Sequence, residues 1–123
     1  MTRQMSWIAL LGTFMIAAAF GIAVLREPVR QAEAAAALNT ALIAEGTDFY
    51  AENCAACHGA NGEGIAAYPP LKTAVSMDAQ MIYNTIERGR YNTAMAAFGV
   101  DEGGIFTGMQ IQSLVTMLQA DTW

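Results

Sequence analysis

The chain has 123 residues, 54% of them hydrophobic and 14% charged, enough for one small domain and one further element but not for two independent cores, so a large multidomain enzyme is excluded. Eleven acidic against six basic residues give a net charge of −5, which leaves no cationic footprint for a polyanion, and nucleic acid is not an expected partner. The 2 cysteines are too few for the disulfide framework of a small secreted domain, so something else must hold the core together.

The first element is an uncharged run from Trp7 to Leu25, bracketed by Arg3 and by Arg26-Glu27. As a helix it covers about 28 Å, close to the hydrocarbon thickness of a bilayer, and it is expected to span one. A cleaved signal peptide is the competing reading, since Arg3 could open an n-region and the alanines from 32 to 37 could offer a cleavage site. The run exceeds the usual signal-peptide core of roughly 7 to 15 residues, which favours a retained anchor. No cysteine near the N-terminus offers a site for a lipid anchor. Basic residues stand on both sides of the span, and the positive-inside rule leans toward placing the following segment in the cytoplasm.

Residues 1–25 are therefore expected to form the anchor, 26–40 a linker, and 41–123 the folded domain. Pro28 should interrupt regular structure in the linker, whereas the alanine-rich stretch after it favours helix, giving a semi-rigid spacer. The domain reads as all-α. A first helix is expected over Leu42 to Ala56. The loop beyond it carries Gly59, Gly62, Gly64, Pro69 and Pro70, all of which oppose helix and strand. A second helix is expected over Asp78 to Arg88, with Ser76 as N-cap and Ile82, Thr85 and Ile86 along one face. After an irregular stretch, Thr107 and Gln110 form a capping-box signal ahead of an apolar stripe at Ile111, Leu114, Val115 and Leu118.

Cys54-Ala-Ala-Cys57-His58 carries the chemistry, because in helical geometry all three functional side chains share one face. Two thiols so placed can form thioethers with the two vinyl groups of one haem while the imidazole reaches the iron, which makes this a c-type haem site. The motif consumes both cysteines and the only histidine of the chain. A thioredoxin-like dithiol would need a βαβ setting that the pattern lacks, and a structural zinc site would need a fourth ligand. A covalently held haem also supplies the large apolar centre around which three short helices can pack.

With no second histidine, a methionine is the natural sixth ligand. Met77, Met81, Met109 and Met117 fall at or within helices, where methionine is more often packing. Met95 lies in the irregular stretch, where a loop can fold it over the far haem face, and it is the preferred ligand with Met81 as the alternative.

On these residues the sequence resembles the small monohaem class I cytochromes c, over about Leu42 to Leu118. Glu45-Gly-Thr-Asp-Phe49-Tyr50-Ala-Glu-Asn-Cys54 through Gly59 is similar to the family's pattern of a glycine, an aromatic and C-x-x-C-H-G. The resemblance implies that Gly46 lets the last helix cross closely and that Phe49 or Tyr50 packs there. Tyr68-Pro69-Pro70-Leu71 is similar to the family's P-x-L turn, which implies that the Pro69 carbonyl accepts a hydrogen bond from His58 and orients its ring. The family commonly places proline after the ligand methionine, where this chain has Ala96, and an aromatic in the last helix, where it has Met117. Family members acquire haem on the outer side of the energy-conserving membrane, so the resemblance implies a periplasmic domain.

The function expected is one-electron transfer by a single haem c, covalent through Cys54 and Cys57, with His58 and Met95 on the iron. A donor and an acceptor in the membrane are the expected partners. The chain would be a subunit of a respiratory or photosynthetic complex, a tethered shuttle between complexes, or, if the sixth position opens, a haem enzyme or gas sensor. The domain carries three basic against nine acidic residues, which suits a basic or apolar docking surface on the partner.

Overall fold

The computed structural model describes residues 2–123, with side chains from residue 6 onward, and so the side chain of Arg3 lies outside the described residues. The order is α1 (Thr2–Asn53), α2 (Ala55–His58), a 3-10 helix (Lys72–Ser76), α3 (Ala79–Arg88), a second 3-10 helix (Val100–Glu102) and α4 (Gly108–Ala120). Among the described residues the only β feature is an isolated parallel bridge between Gly99 and Phe106. The fold class is all-α. The chain divides into two compact units, Met1–Ala37 and Leu38–Trp123.

In the first unit the large apolar side chains from Trp7 to Leu25 stand exposed on α1. Ser6–Asn53 is the one helical stretch among the described residues long and apolar enough to cross a membrane. Such a surface is costly in water and matched by lipid. The expected break at Pro28 does not occur, because Pro28 lies inside α1. The turn around it is tied by side chains: Arg30 donates to both carboxylate oxygens of Glu27 (3.0 and 2.7 Å) and Gln31 donates at 3.0 Å. Alanines downstream add helix propensity, and together these offset the backbone bond that proline cannot make.

The second unit packs Tyr50, Ile82, Ile86, Phe106 and the inward stripe of α4 into one core. The α4 stripe is the expected one, with Ile111, Leu114, Val115 and Leu118 all buried, joined by Met117 and Ser113. Thr107 caps α4 in a reciprocal capping box with Gln110. At the α1–α4 crossing, a Cβ on Gly46 would fall 2.3 Å from the Ser113 carbonyl oxygen and 2.9 Å from Met117 Cβ, so only glycine permits this approach. Beside it, the buried Ser113 hydroxyl donates to the Glu45 carboxylate.

Three helix boundaries differ from expectation, the first being the start at Leu42, which does not exist because α1 runs unbroken from Thr2 to Asn53. The cap of α3 is Asp78, whose Oδ1 accepts from the Met81 amide at 3.0 Å, whereas the Ser76 hydroxyl turns back to the Thr73 carbonyl in the preceding 3-10 helix. The first helix of the domain ends at Asn53 rather than Ala56, and Cys54 (φ −116°, ψ −36°) separates it from the single turn of α2.

Candidate haem site

The break at Cys54 leaves its carbonyl free to accept from two amides at once, Cys57 at 3.1 Å and His58 at 2.9 Å. The three motif residues are thereby held on one tight turn, with Cys54 half-buried and Cys57 exposed. Gly59 then reverses the chain at φ +86°, a conformation that suits glycine. Its carbonyl accepts from the Tyr50 hydroxyl at 2.7 Å, and the His58 carbonyl accepts from the Gly64 amide at 2.7 Å.

The returning loop brings Pro69 to His58, with Nδ1 2.9 Å from the Pro69 carbonyl oxygen. A carbonyl can only accept, so Nδ1 carries the proton and the Nε2 lone pair is left for a metal. His58 is 9% exposed, and the Tyr68 ring stands edge-on to it with centroids 6.4 Å apart. This donor set fits a c-type haem: one imidazole oriented through Nδ1, and two thiols on the same turn. Among the described residues no group of three His, Cys, Asp or Glu side chains is placed to hold a metal ion by itself.

Burial, and next the neighbouring Cys57, push the Cys54 thiol up to about 11. Burial likewise pushes Tyr50 up to about 12, helped by Cys54 and Glu63. In the haem-free chain both groups therefore stay neutral at pH 7. Glu63 is held below the usual carboxylate range by its own backbone amide and by that of Asn61.

Met95 sits half-buried in the loop between α3 and the second 3-10 helix. Its backbone is pinned there: Arg90 donates to the Met95 carbonyl at 2.9 Å, and the Met95 amide donates to Thr93 Oγ1 at 3.2 Å. Gly89 makes the pinning possible, since a Cβ there would lie 2.5 Å from the Met95 carbonyl oxygen. Beyond it the chain returns to the core through Phe98, whose amide donates to Ile86 and whose ring stacks on Phe106 at 5.7 Å. Met81, the alternative ligand, is 56% exposed on α3. It lines a surface groove of about 420 Å³ with Asp78, Gln80, Asn84, Thr85, Arg88 and Gly89, which includes none of Cys54, Cys57, His58 or Met95.

The structure thus joins His58 to Pro69 and groups both cysteines with His58, while Met95 is fixed through its backbone. Two supporting aromatics escaped sequence reasoning. Phe98 follows no periodic pattern, and Trp123, whose ring lies 5.1 Å from that of Tyr50, stands beyond the last helix where no signal marks it.

Residues 41–116 match the model of the family described as cytochrome c oxidase, cbb3-type, subunit III. The chain belongs to that family. Two curated relatives are cbb3-type cytochrome c oxidase subunits CcoP: one from Azospirillum sp. (strain B510), 39% identical over 85 residues, and one from Azospirillum brasilense, 38% identical over 82 residues. The aligned segments take in 58% and 56% of this chain, and the chain spans only 28% and 27% of those two proteins. No solved structure matches. Membership of a cytochrome c family implies haem c as the cofactor, in agreement with the donor set above.

Proposed function

We propose that this chain is a membrane-anchored one-electron carrier that holds a single haem c and works within a multisubunit respiratory oxidase. The observation that carries the reading is the His58 Nδ1 bond to Pro69 inside an intact C-x-x-C-H turn. That bond leaves Nε2 as an oriented, strengthened donor, which a surface histidine would not be. The family match and the CcoP relatives support a place in an oxidase, since both carry that description.

Cys54 and Cys57 would each add S–H across one vinyl group, fixing the cofactor to α2 without any oxidant. His58 would bind iron through Nε2, with Pro69 preventing ring rotation. Met95 would be the second protein ligand to the iron, through its thioether sulfur. When bound, the haem supplies a one-electron ferric/ferrous couple, which thioether ligation biases toward the ferrous form. The remaining work of the protein is to keep one geometry through the cycle and exclude water, so the chain transfers electrons and is not itself a catalyst. Residues 1–25 would anchor it, and 26–40 would link the anchor to a 41–123 domain that we assign to the periplasmic side on the family's haem-attachment chemistry. Confinement near the bilayer would raise its effective concentration at membrane-bound donor and acceptor.

The test is expression with a c-type haem attachment system, then haem staining on a denaturing gel and intact mass. One haem that survives denaturation in the wild type and is lost in the Cys54→Ala/Cys57→Ala double variant is expected. A wild-type chain without bound haem would overturn the reading. Native gels of mild detergent extracts then test the partner: comigration with a large oxidase is expected, and migration alone would make the chain a tethered shuttle.

A further inference from the structure

Trp123 lies outside the segment matched by the family, yet it reaches the loop that follows the C-x-x-C-H turn. Asp121 ends α4 in the left-handed region (φ +51°), which turns the chain back, and its Oδ1 accepts from Trp123 Nε1 at 2.8 Å. The indole then meets two targets. It stands edge-on to Tyr50, centroids 5.1 Å apart with planes at 73°. It also covers Gly62, where a Cβ would fall within 2.6 to 2.9 Å of three ring carbons.

Both targets are bonded to the His58 surroundings. Tyr50, 2% exposed, donates to the carbonyl of Gly59, the residue after His58. Gly62 accepts from the Leu71 amide at 2.8 Å, two residues beyond the Pro69 whose carbonyl holds Nδ1. One ring therefore braces both sides of the His58–Pro69 hydrogen bond, the turn that carries the donor and the return loop that carries the acceptor.

We propose that Trp123 is a positioning residue that tunes the iron-binding imidazole by keeping the Pro69 carbonyl at hydrogen-bond distance from His58. The proposal rests on the haem reading above and adds to it a determinant of potential remote from the iron. A strong Nδ1–H bond to a carbonyl raises imidazole basicity and stabilises the ferric state. Loosening the brace weakens that bond, lowers the basicity and shifts the midpoint potential upward.

The experiment uses the full-length haem-loaded chain in detergent, as wild type and as Trp123→Ala, Trp123→Leu and Trp123→Phe. It measures the midpoint potential together with the exchange rate of the His58 Nδ1 proton by NMR. A raised potential and faster exchange are expected in the Ala and Leu variants, with Phe close to wild type because an aromatic edge still meets Tyr50. A melting temperature that falls while potential and exchange stay at wild-type values overturns the proposal and leaves Trp123 with a purely structural role. So does a Phe variant that behaves like Ala. If Ala fails to fold, Leu and Phe carry the comparison. The wild-type haem stain is scored first, so that a failure of the haem reading is seen separately. In that event the exchange comparison still tests the brace in the haem-free chain.

Discussion

Replacing Gly46 by alanine sets two effects of opposite sign against each other. Gly46 lies within α1, where alanine is preferred over glycine by about 1 kcal/mol from helix propensity alone. Its Cβ, however, would lie 2.3 Å from the Ser113 carbonyl oxygen and 2.7 Å from the carbonyl carbon. Carbon and oxygen rest at about 3.3 Å, so α1 and α4 must part by about 1 Å. Backbone cannot swing aside as a side-chain tip can, and overpacking of this kind costs about 3 kcal/mol, the upper end of the usual range. A gap of that size also forfeits a quarter to a half of the dispersion attraction across the interface, where α4 buries Ile111, Leu114 and Met117. The net expectation is a loss of at least about 2 kcal/mol, which alone corresponds to about 8–16 °C in melting temperature for a domain of this size. Thermal unfolding of the full chain in detergent, followed by far-ultraviolet circular dichroism, reads it. A Gly46→Ala chain that melts at or above the wild-type temperature would show that propensity wins and that the helices do not cross as closely as described.

Three further outcomes are expected. Tyr50→Phe should lose about 1 kcal/mol at pH 7, because the Gly59 carbonyl loses its hydroxyl donor. Its pH profile should change too: burial raises Tyr50 from 10.0 to about 12, so the wild type keeps this contribution in full below pH 10 and loses it as pH rises through 12. The Phe variant should lack that alkaline decline in urea titrations across this range, and an unaltered decline would exclude Tyr50 as its source. Thr107→Ala should cost about 1 kcal/mol, seen as a lower melting temperature, since it removes the side-chain acceptor of the capping box on α4; an unchanged melting temperature would contradict that role. In the haem-loaded protein, Met95→Ala should abolish the near-infrared sulfur-to-ferric-iron charge-transfer band while Met81→Ala keeps it; the reverse pattern would move the ligand to α3.

The parts of the molecule governed by local rules were legible in the sequence. The α4 stripe and its capping box follow from helical period and side-chain chemistry, and the structure reproduces both. C-x-x-C-H is legible because three reactive side chains at fixed spacing have few other uses. The pairing of His58 with Pro69 needed more, since a loop closes across it, and only the resemblance to the class I cytochromes c indicated that carbonyl. Boundaries failed where two local solutions competed. Pro28 opposes helix, but the Glu27 bonds to Arg30 and Gln31 span its turn. Ser76 and Asp78 could each cap α3, and Ser76 was already engaged with Thr73. The break at Cys54 has no compositional mark because it arises from the way the turn folds its amides back onto one carbonyl. Trp123 was invisible for the opposite reason, since its importance lies wholly in tertiary contacts to Tyr50 and Gly62.

If His58 and Met95 both hold the iron as proposed, the carrier offers no position to an outside ligand. Carbon monoxide added to the reduced, haem-loaded full-length protein reads this directly through the haem absorbance. An unchanged spectrum on the timescale of mixing is expected, with binding appearing in Met95→Ala. Rapid, stoichiometric binding by the wild type would contradict a closed electron-transfer site and point instead to a haem that engages a diatomic ligand.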